Sequence, residues 1–257
     1  MSGERAFLGT SALLFLASAG VTVYSCASMG GGMPMPGGWH MSMAWMRMPG
    51  QSWLGAAASF IVMWMAMMMA MMLPSLVSML SDYRRCLRAA DETALGRPTA
   101  LAGAGYFFVW AAFGAAAYPL GVGLAAAEMH WPALARSVPF ATGVVLLLAG
   151  CLQLTAWRAR HLGRCRDARA CGAAPSADAR SAWRHGLRLG LHCSLCCSGF
   201  IVALLVTGVM DLRVMALLTA AITAERLVPR PRPVARATGL LVVATGALEI
   251  ARAVGAA

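Results

Sequence analysis

The 257-residue chain is 60% hydrophobic and only 12% charged, with a mean hydropathy of +0.68, too apolar for a soluble domain. Its formal net charge of +11 rests on arginine alone, because lysine is absent. The arginines fall in short segments between apolar runs, and no helix-turn-helix, RNA-binding or zinc-finger spacing occurs; this argues against nucleic acid as a partner and for arginine as a topology determinant.

The first apolar span covers 7–24 and follows Arg5. Val23-Tyr24-Ser25-Cys26 has the outline of a lipoprotein cleavage box, but Tyr24 fits it poorly, so the span is read as an uncleaved helix. Residues 25–52 are dense in Gly, Pro and Met, which predicts a flexible loop. Within it, Met33, Met35, His40, Met41 and Met43 are soft donors on a backbone free to wrap a metal. The second span, 53–80, has no charge from Trp53 to Leu80 and exceeds the roughly 20 apolar residues that a crossing needs. Seven methionines lie between Met63 and Met72, and Met63, Met67 and Met71 recur at i, i+4, i+8, a ladder on one helical face. Thioethers are neutral donors that suit Cu(I); methionine is also a pliable packing residue. Residues 29–72 hold 14 of the 19 methionines, a bias that packing alone does not require.

Further spans are predicted at 100–124, 137–157, 187–208, 214–227 and 238–254. The segments after spans two, four and six carry four, seven and four arginines, and those after one, three and five carry one each. The positive-inside rule then gives an all-α polytopic protein of a bacterial inner membrane, with the N-terminus cytoplasmic and the Met-rich loop outside. It has about seven transmembrane helices, or six if the first is a cleaved signal. Two parts follow: residues 1–52, the first helix and outer loop, and residues 53–257, the helical membrane domain.

The fifth span contains His192-Cys193-Ser194-Leu195-Cys196-Cys197. Positions 193, 196 and 197 share a helical face and His192 lies one turn from Cys196, so three thiols and an imidazole could ligate Cu(I) or Zn(II). Small-residue packing between membrane helices and a redox C-x-x-C pair remain alternatives, although the βαβ context of a thioredoxin-type motif is missing. Cys86, Cys165 and Cys171 are expected to be reduced thiols on the cytoplasmic side. Glu225 is expected to pair with Arg226, Asp211 to be interfacial, and Glu249 to have no evident partner.

These residues resemble a bacterial family of predicted metal-binding integral membrane proteins of unknown function. The likeness lies in Trp64-x-x-Met67-x-x-Ala70-Met71-Met72-Leu73-Pro74-Ser75, Gly105-Tyr106-x-x-Val109-Trp110 and Gln153-Leu154-Thr155. It continues in Gly186-x-x-x-Gly190-Leu191-x-Cys193-x-x-Cys196-Cys197, Gly208-Val209-Met210-Asp211-Leu212, Met215 and Glu225. The chain departs from the family pattern at Ala156, where proline is usual, at His161, where cysteine is usual, and at Ser198 to Ile201, where Trp-x-x-Met is usual. The resemblance implies metal binding without a defined substrate.

The expectation is therefore a membrane protein that binds a soft ion, Cu(I) before Zn(II), and transports it or delivers it to a soluble copper chaperone or copper enzyme. Its partners are the lipid bilayer and the metal. The rival readings are a membrane thiol–disulfide oxidoreductase and a subunit or assembly factor of a copper enzyme; catalysis by this chain is not expected. No nucleotide-binding motif or phosphorylatable D-K-T-G is present, so ATP-driven pumping within this chain is excluded.

Overall fold

A computed structural model describes residues 2–29, 32–89, 95–167, 178–228 and 231–255. Among the described residues the fold is all-α apart from one small hairpin. Its helices are α1 (Ser2–Met29), α2 (Trp53–Ala89), α3 (Gly96–His130), α4 (Pro132–Gln153), α5 (Ala156–Asp167), α6 (Ala179–Thr207), α7 (Leu212–Leu227) and α8 (Pro231–Gly255). Six of them, α1, α2, α3, α4, α6 and α8, are long and apolar enough to cross a membrane. The expected span at 214–227 is α7, with 16 residues. At 1.5 Å per residue it rises about 24 Å, less than the hydrocarbon core of roughly 30 Å. Asp211 caps its first turn by accepting from the Arg213 and Val214 amides at 2.8 and 3.2 Å.

Two glycine-lined seams bring the helices together. A Cβ on Gly105 of α3 would meet the Trp183 carbonyl oxygen of α6 at 2.7 Å, and one on Gly190 of α6 would meet the Tyr106 carbonyl oxygen at 2.9 Å. In the same way a Cβ on Gly143 of α4 would lie 2.9 Å from the Gly246 carbonyl oxygen of α8. Small residues let backbones approach this closely, which is how helices associate where lipid removes the hydrophobic drive. Helix α1 lies antiparallel to α2: Arg84 near the end of α2 donates to the Gly3 carbonyl at 3.0 Å, and Arg88 pairs with Glu4.

Where the sequence predicts only a loop, the Met-rich segment contains a small hairpin. Strands β1 (Met33–Met35) and β2 (Trp39–Met41) form an antiparallel hairpin, with Met33 opposite Met41 and Pro34 opposite His40. Gly37 and Gly38, at φ 103° and 77°, supply the positive φ that the reversal needs. The hairpin is anchored: Trp39 donates its indole N–H to the Ala135 carbonyl of α4 at 2.8 Å, and Trp45 fills the notch left by Gly121 of α3.

The 158–184 stretch is likewise not one loop. Helix α5 occupies its first part and α6 begins at Ala179, so Arg158 is buried in the bundle. Cys86 is disulfide-bonded, against the expectation of a free thiol. Cys171 and the side chain of Cys165 lie outside the described residues as well.

Candidate metal centre

Helix α2 carries most of its methionines inward. Met63, Met67, Met68, Met71 and Met72 are all buried, in one core cluster with Trp64, Tyr106 and the α6 cysteines. Nine residues separate Met63 from Met72, a rise of about 14 Å. The inner end of this row reaches the thiols: Met72 Sδ lies 4.0 Å from Cys193 Sγ. Met72 is the methionine that the i, i+4, i+8 ladder of Met63, Met67 and Met71 passes over, because it lies one residue round the helix from Met71.

Cys193 stands at the midpoint of α6 and is fully buried together with Cys196 and Cys197. All three are free thiols. Their sulfurs converge on one atom, Nη2 of Arg226, which donates to Cys193, Cys196 and Cys197 at 3.0, 3.2 and 3.1 Å. The Cys196 and Cys197 sulfurs are 3.8 Å apart, and the Tyr106 hydroxyl of α3 is 2.8 Å from Cys193 Sγ. The second terminal nitrogen, Nη1, donates to Ser75 Oγ at 2.9 Å. Ser75 sits just after Pro74, whose missing N–H interrupts the α2 ladder, and its hydroxyl also donates back to the Met72 carbonyl at 3.0 Å.

Arginine is permanently charged and donor-only. A positive centre against three sulfurs attracts the anionic form in which cysteine ligates metals. Three thiolates bridging one ion at the roughly 2.3 Å of a metal–thiolate bond lie within about 4.6 Å of one another, and the 3.8 Å between Cys196 and Cys197 falls inside that reach. Among the described residues no three His, Cys, Asp or Glu side chains enclose a metal-sized space as they stand. At the thiols the Arg226 nitrogen occupies the point on which they converge.

The environment of Arg226 corrects one expectation. Arg226 pairs with sulfur and not with Glu225, whose carboxylate takes Arg158 on one oxygen and the Thr238 hydroxyl, at 2.7 Å, on the other. Arg158 also donates to the Cys196 carbonyl at 3.2 Å, tying α5 to the thiol turn of α6. Glu249, half-buried, pairs with the exposed Arg252 at 3.0 Å, so it does have a partner.

The other sequence-chosen residues are distributed differently. His192 joins none of the described hydrogen bonds of the thiol cluster, and its Nδ1 is buried without a partner. Helical geometry accounts for this: at 100° per residue His192 projects about 95° from the mean direction of Cys193, Cys196 and Cys197. In the hairpin, Met33 and Met41 are cross-strand partners, and Met35 shares their side because strand side chains alternate. His40, opposite Pro34, points to the other face. Met41 is buried, while Met43 lies in the short 3₁₀ turn that follows. The four donors on the strands are thus split between the two faces of the hairpin.

Tyr106, Met72, Ser75 and Arg226 were not selected from the sequence as ligand-set residues. Three of them lie inside the quoted motifs and Arg226 directly follows the last motif residue, Glu225, which was the available signal. A family model described as PpoB2, copper chaperone, matches residues 61–249, from α2 to α8. No curated protein and no solved structure matches the chain.

Proposed function

Because the chain belongs to the PpoB2 copper chaperone family, we propose that it is an inner-membrane protein that binds Cu(I) at Cys193, Cys196 and Cys197 and moves it across, or delivers it at, that membrane. The observation that carries this reading is the convergence of three buried sulfurs on a single cationic atom within 3.0–3.2 Å. Thiolates outbind thioethers for soft cations, so the cysteines are the retaining site and Met63, Met67, Met71 and Met72 the weaker approach to it. Weak sites in series favour passage, because an ion held too tightly does not leave.

Entry of the ion requires the Arg226 nitrogen to withdraw from the sulfurs. One cation then replaces another beside the same anions, which limits the cost of burying charge. Ser75 Oγ and the Tyr106 hydroxyl help to hold the residues involved in place. The reading assigns the chain no reaction of its own. In the membrane the Met-rich hairpin faces outward and the arginine-bearing end of α2 faces the cytoplasm; this is supported by the placement of the N-terminal end of α1 beside Arg84 and Arg88.

The test is Cu(I) competition against a chromophoric chelator, with X-ray absorption on the loaded, reduced protein. Wild type retains Cu(I) with sulfur ligands, the Cys193→Ser/Cys196→Ser variant loses tight retention, and acidification releases the ion as the thiols reprotonate. Nitrogen and oxygen ligands only, or unchanged retention in the double variant, overturn the reading. Thiol–disulfide exchange by the metal-free protein would instead support the oxidoreductase.

A further inference from the structure

A second group of soft donors lies at the hairpin end of the bundle, away from the α6 thiols. A cleft of about 430 Å³ opens between the end of α1, the hairpin and the turn joining α6 to α7, and its walls include Cys26, His40, Met210 and Asp211. Cys26 is a free, buried thiol, and its Sγ lies 3.9 Å from Met210 Sδ. Two sulfurs bridged by one ion with bonds of about 2.3 Å lie at most about 4.6 Å apart, so this pair is already within bridging distance. His40 reaches the cleft because the hairpin register places it on the face opposite Met33, Met35 and Met41. Asp211 caps α7 through one carboxylate oxygen, Oδ1, which accepts from both the Arg213 and Val214 amides.

We propose that this cleft is a second soft-cation site, in which the Cys26 thiolate and the Met210 thioether bind Cu(I) and the His40 imidazole completes the ligand set. The donors suit a soft monovalent ion better than a hard divalent one, since two of the three are sulfur. The cleft is open to the surface while the α6 thiols are closed in. From Cys197 to Thr207 at the cleft end of α6 is ten residues, a rise of about 15 Å. The two sites therefore cannot share one ion. Met210 belongs to the segment matched by the copper chaperone model, whereas Cys26 and His40 precede it. The site thus joins N-terminal donors to a position within the matched region. The inference rests on the copper reading above and deepens it, by giving the ion a place at the hairpin end before the methionine row.

The experiment is anaerobic equilibrium titration of the full-length protein in detergent with Cu(I), counting equivalents bound against a chelator. It compares wild type with Cys26→Ser, Met210→Leu, Cys193→Ser/Cys196→Ser and the combination of Cys26→Ser with that double variant. Cys26→Ser is expected to lose one equivalent while keeping the tightly held one. Cys193→Ser/Cys196→Ser is expected to lose the tight equivalent and keep the one that Cys26→Ser removes. Met210→Leu preserves volume and apolarity, so it keeps the fold while weakening the outer equivalent about tenfold or more. Full wild-type stoichiometry and affinity in both Cys26→Ser and Met210→Leu overturns the outer site and leaves the α6 site standing. Loss of the outer equivalent with no effect of the α6 double variant overturns the α6 reading and leaves the outer site.

Discussion

Gly105→Ala tests whether the close α3–α6 approach builds the thiol site. The added Cβ would lie 2.7 Å from the Trp183 carbonyl oxygen, 3.2 Å from the Leu187 nitrogen and 3.3 Å from the Gly186 Cα, all backbone atoms that cannot swing aside. Restoring an ordinary contact of 3.4 Å parts the helices by about 0.7 Å there. Overpacking of this kind costs about 1–3 kcal/mol, set against a gain of up to about 1 kcal/mol from replacing a helical glycine with alanine. Gly103→Ala on the same helix is the control, since its Cβ meets only the Leu80 Cδ1 at 3.8 Å. Both variants share the propensity gain, so their difference isolates the steric cost. Unfolding in detergent should place Gly105→Ala about 1–3 kcal/mol below Gly103→Ala. The neighbouring Tyr106 hydroxyl, 2.8 Å from Cys193 Sγ, would be drawn away by a similar distance. Loss of a hydrogen bond to a charged sulfur is worth about 1.5 kcal/mol or more, so Cu(I) retention should fall at least about tenfold. Equal stability of the two alanine variants would refute the steric argument. Unchanged Cu(I) affinity in a destabilised Gly105→Ala would detach the seam from the site.

Three further outcomes are expected. Met63→Leu, Met67→Leu and Met71→Leu together keep core volume, costing less than about 1.5 kcal/mol each; in vesicles the triple variant should load Cu(I) from the thiol side and lose loading from the hairpin side, and equal rates from the hairpin side would leave these methionines as packing. Glu225→Gln leaves the buried Arg158 guanidinium without its carboxylate and should destabilise the protein by about 3–5 kcal/mol, read by denaturant unfolding; an effect below about 1 kcal/mol would mean that the pair is solvated. A cysteine at exposed Arg85 should react with an impermeant maleimide only after cells are opened, and labelling in intact cells would invert the orientation.

The fold class was legible because membrane helices must be long, apolar and internally hydrogen-bonded. Trp53 to Leu80, uncharged throughout, could be little else. What was not legible came from contacts distant in sequence. The glycines and prolines of 25–52 give the local signal of a loop, yet Trp39 bonded to Ala135 and Trp45 seated at Gly121 hold a hairpin in place. Local charge density likewise hid α5: the stretch from Arg158 to Arg166 is too basic for a span, and the Arg158–Glu225 pair that buries part of it joins residues far apart in the chain.

The same distinction divides the candidate site. Cys193, Cys196 and Cys197 could be found by helical spacing, because all three ride one element and 100° per residue puts them on one face. By the same arithmetic His192 projects to the side of that face, since a neighbour in sequence is a quarter-turn away in space. Arg226 could not be found this way at all. On a charge count it pairs most simply with Glu225, its neighbour, but adjacent helical residues diverge, so the carboxylate turns to Arg158 and the guanidinium turns to sulfur. A buried arginine surrounded by thiols is costly as a structural element alone, because sulfur is a weak acceptor until it is ionised. One negatively charged sulfur balances the guanidinium, and three sulfurs about one point are what a soft cation requires.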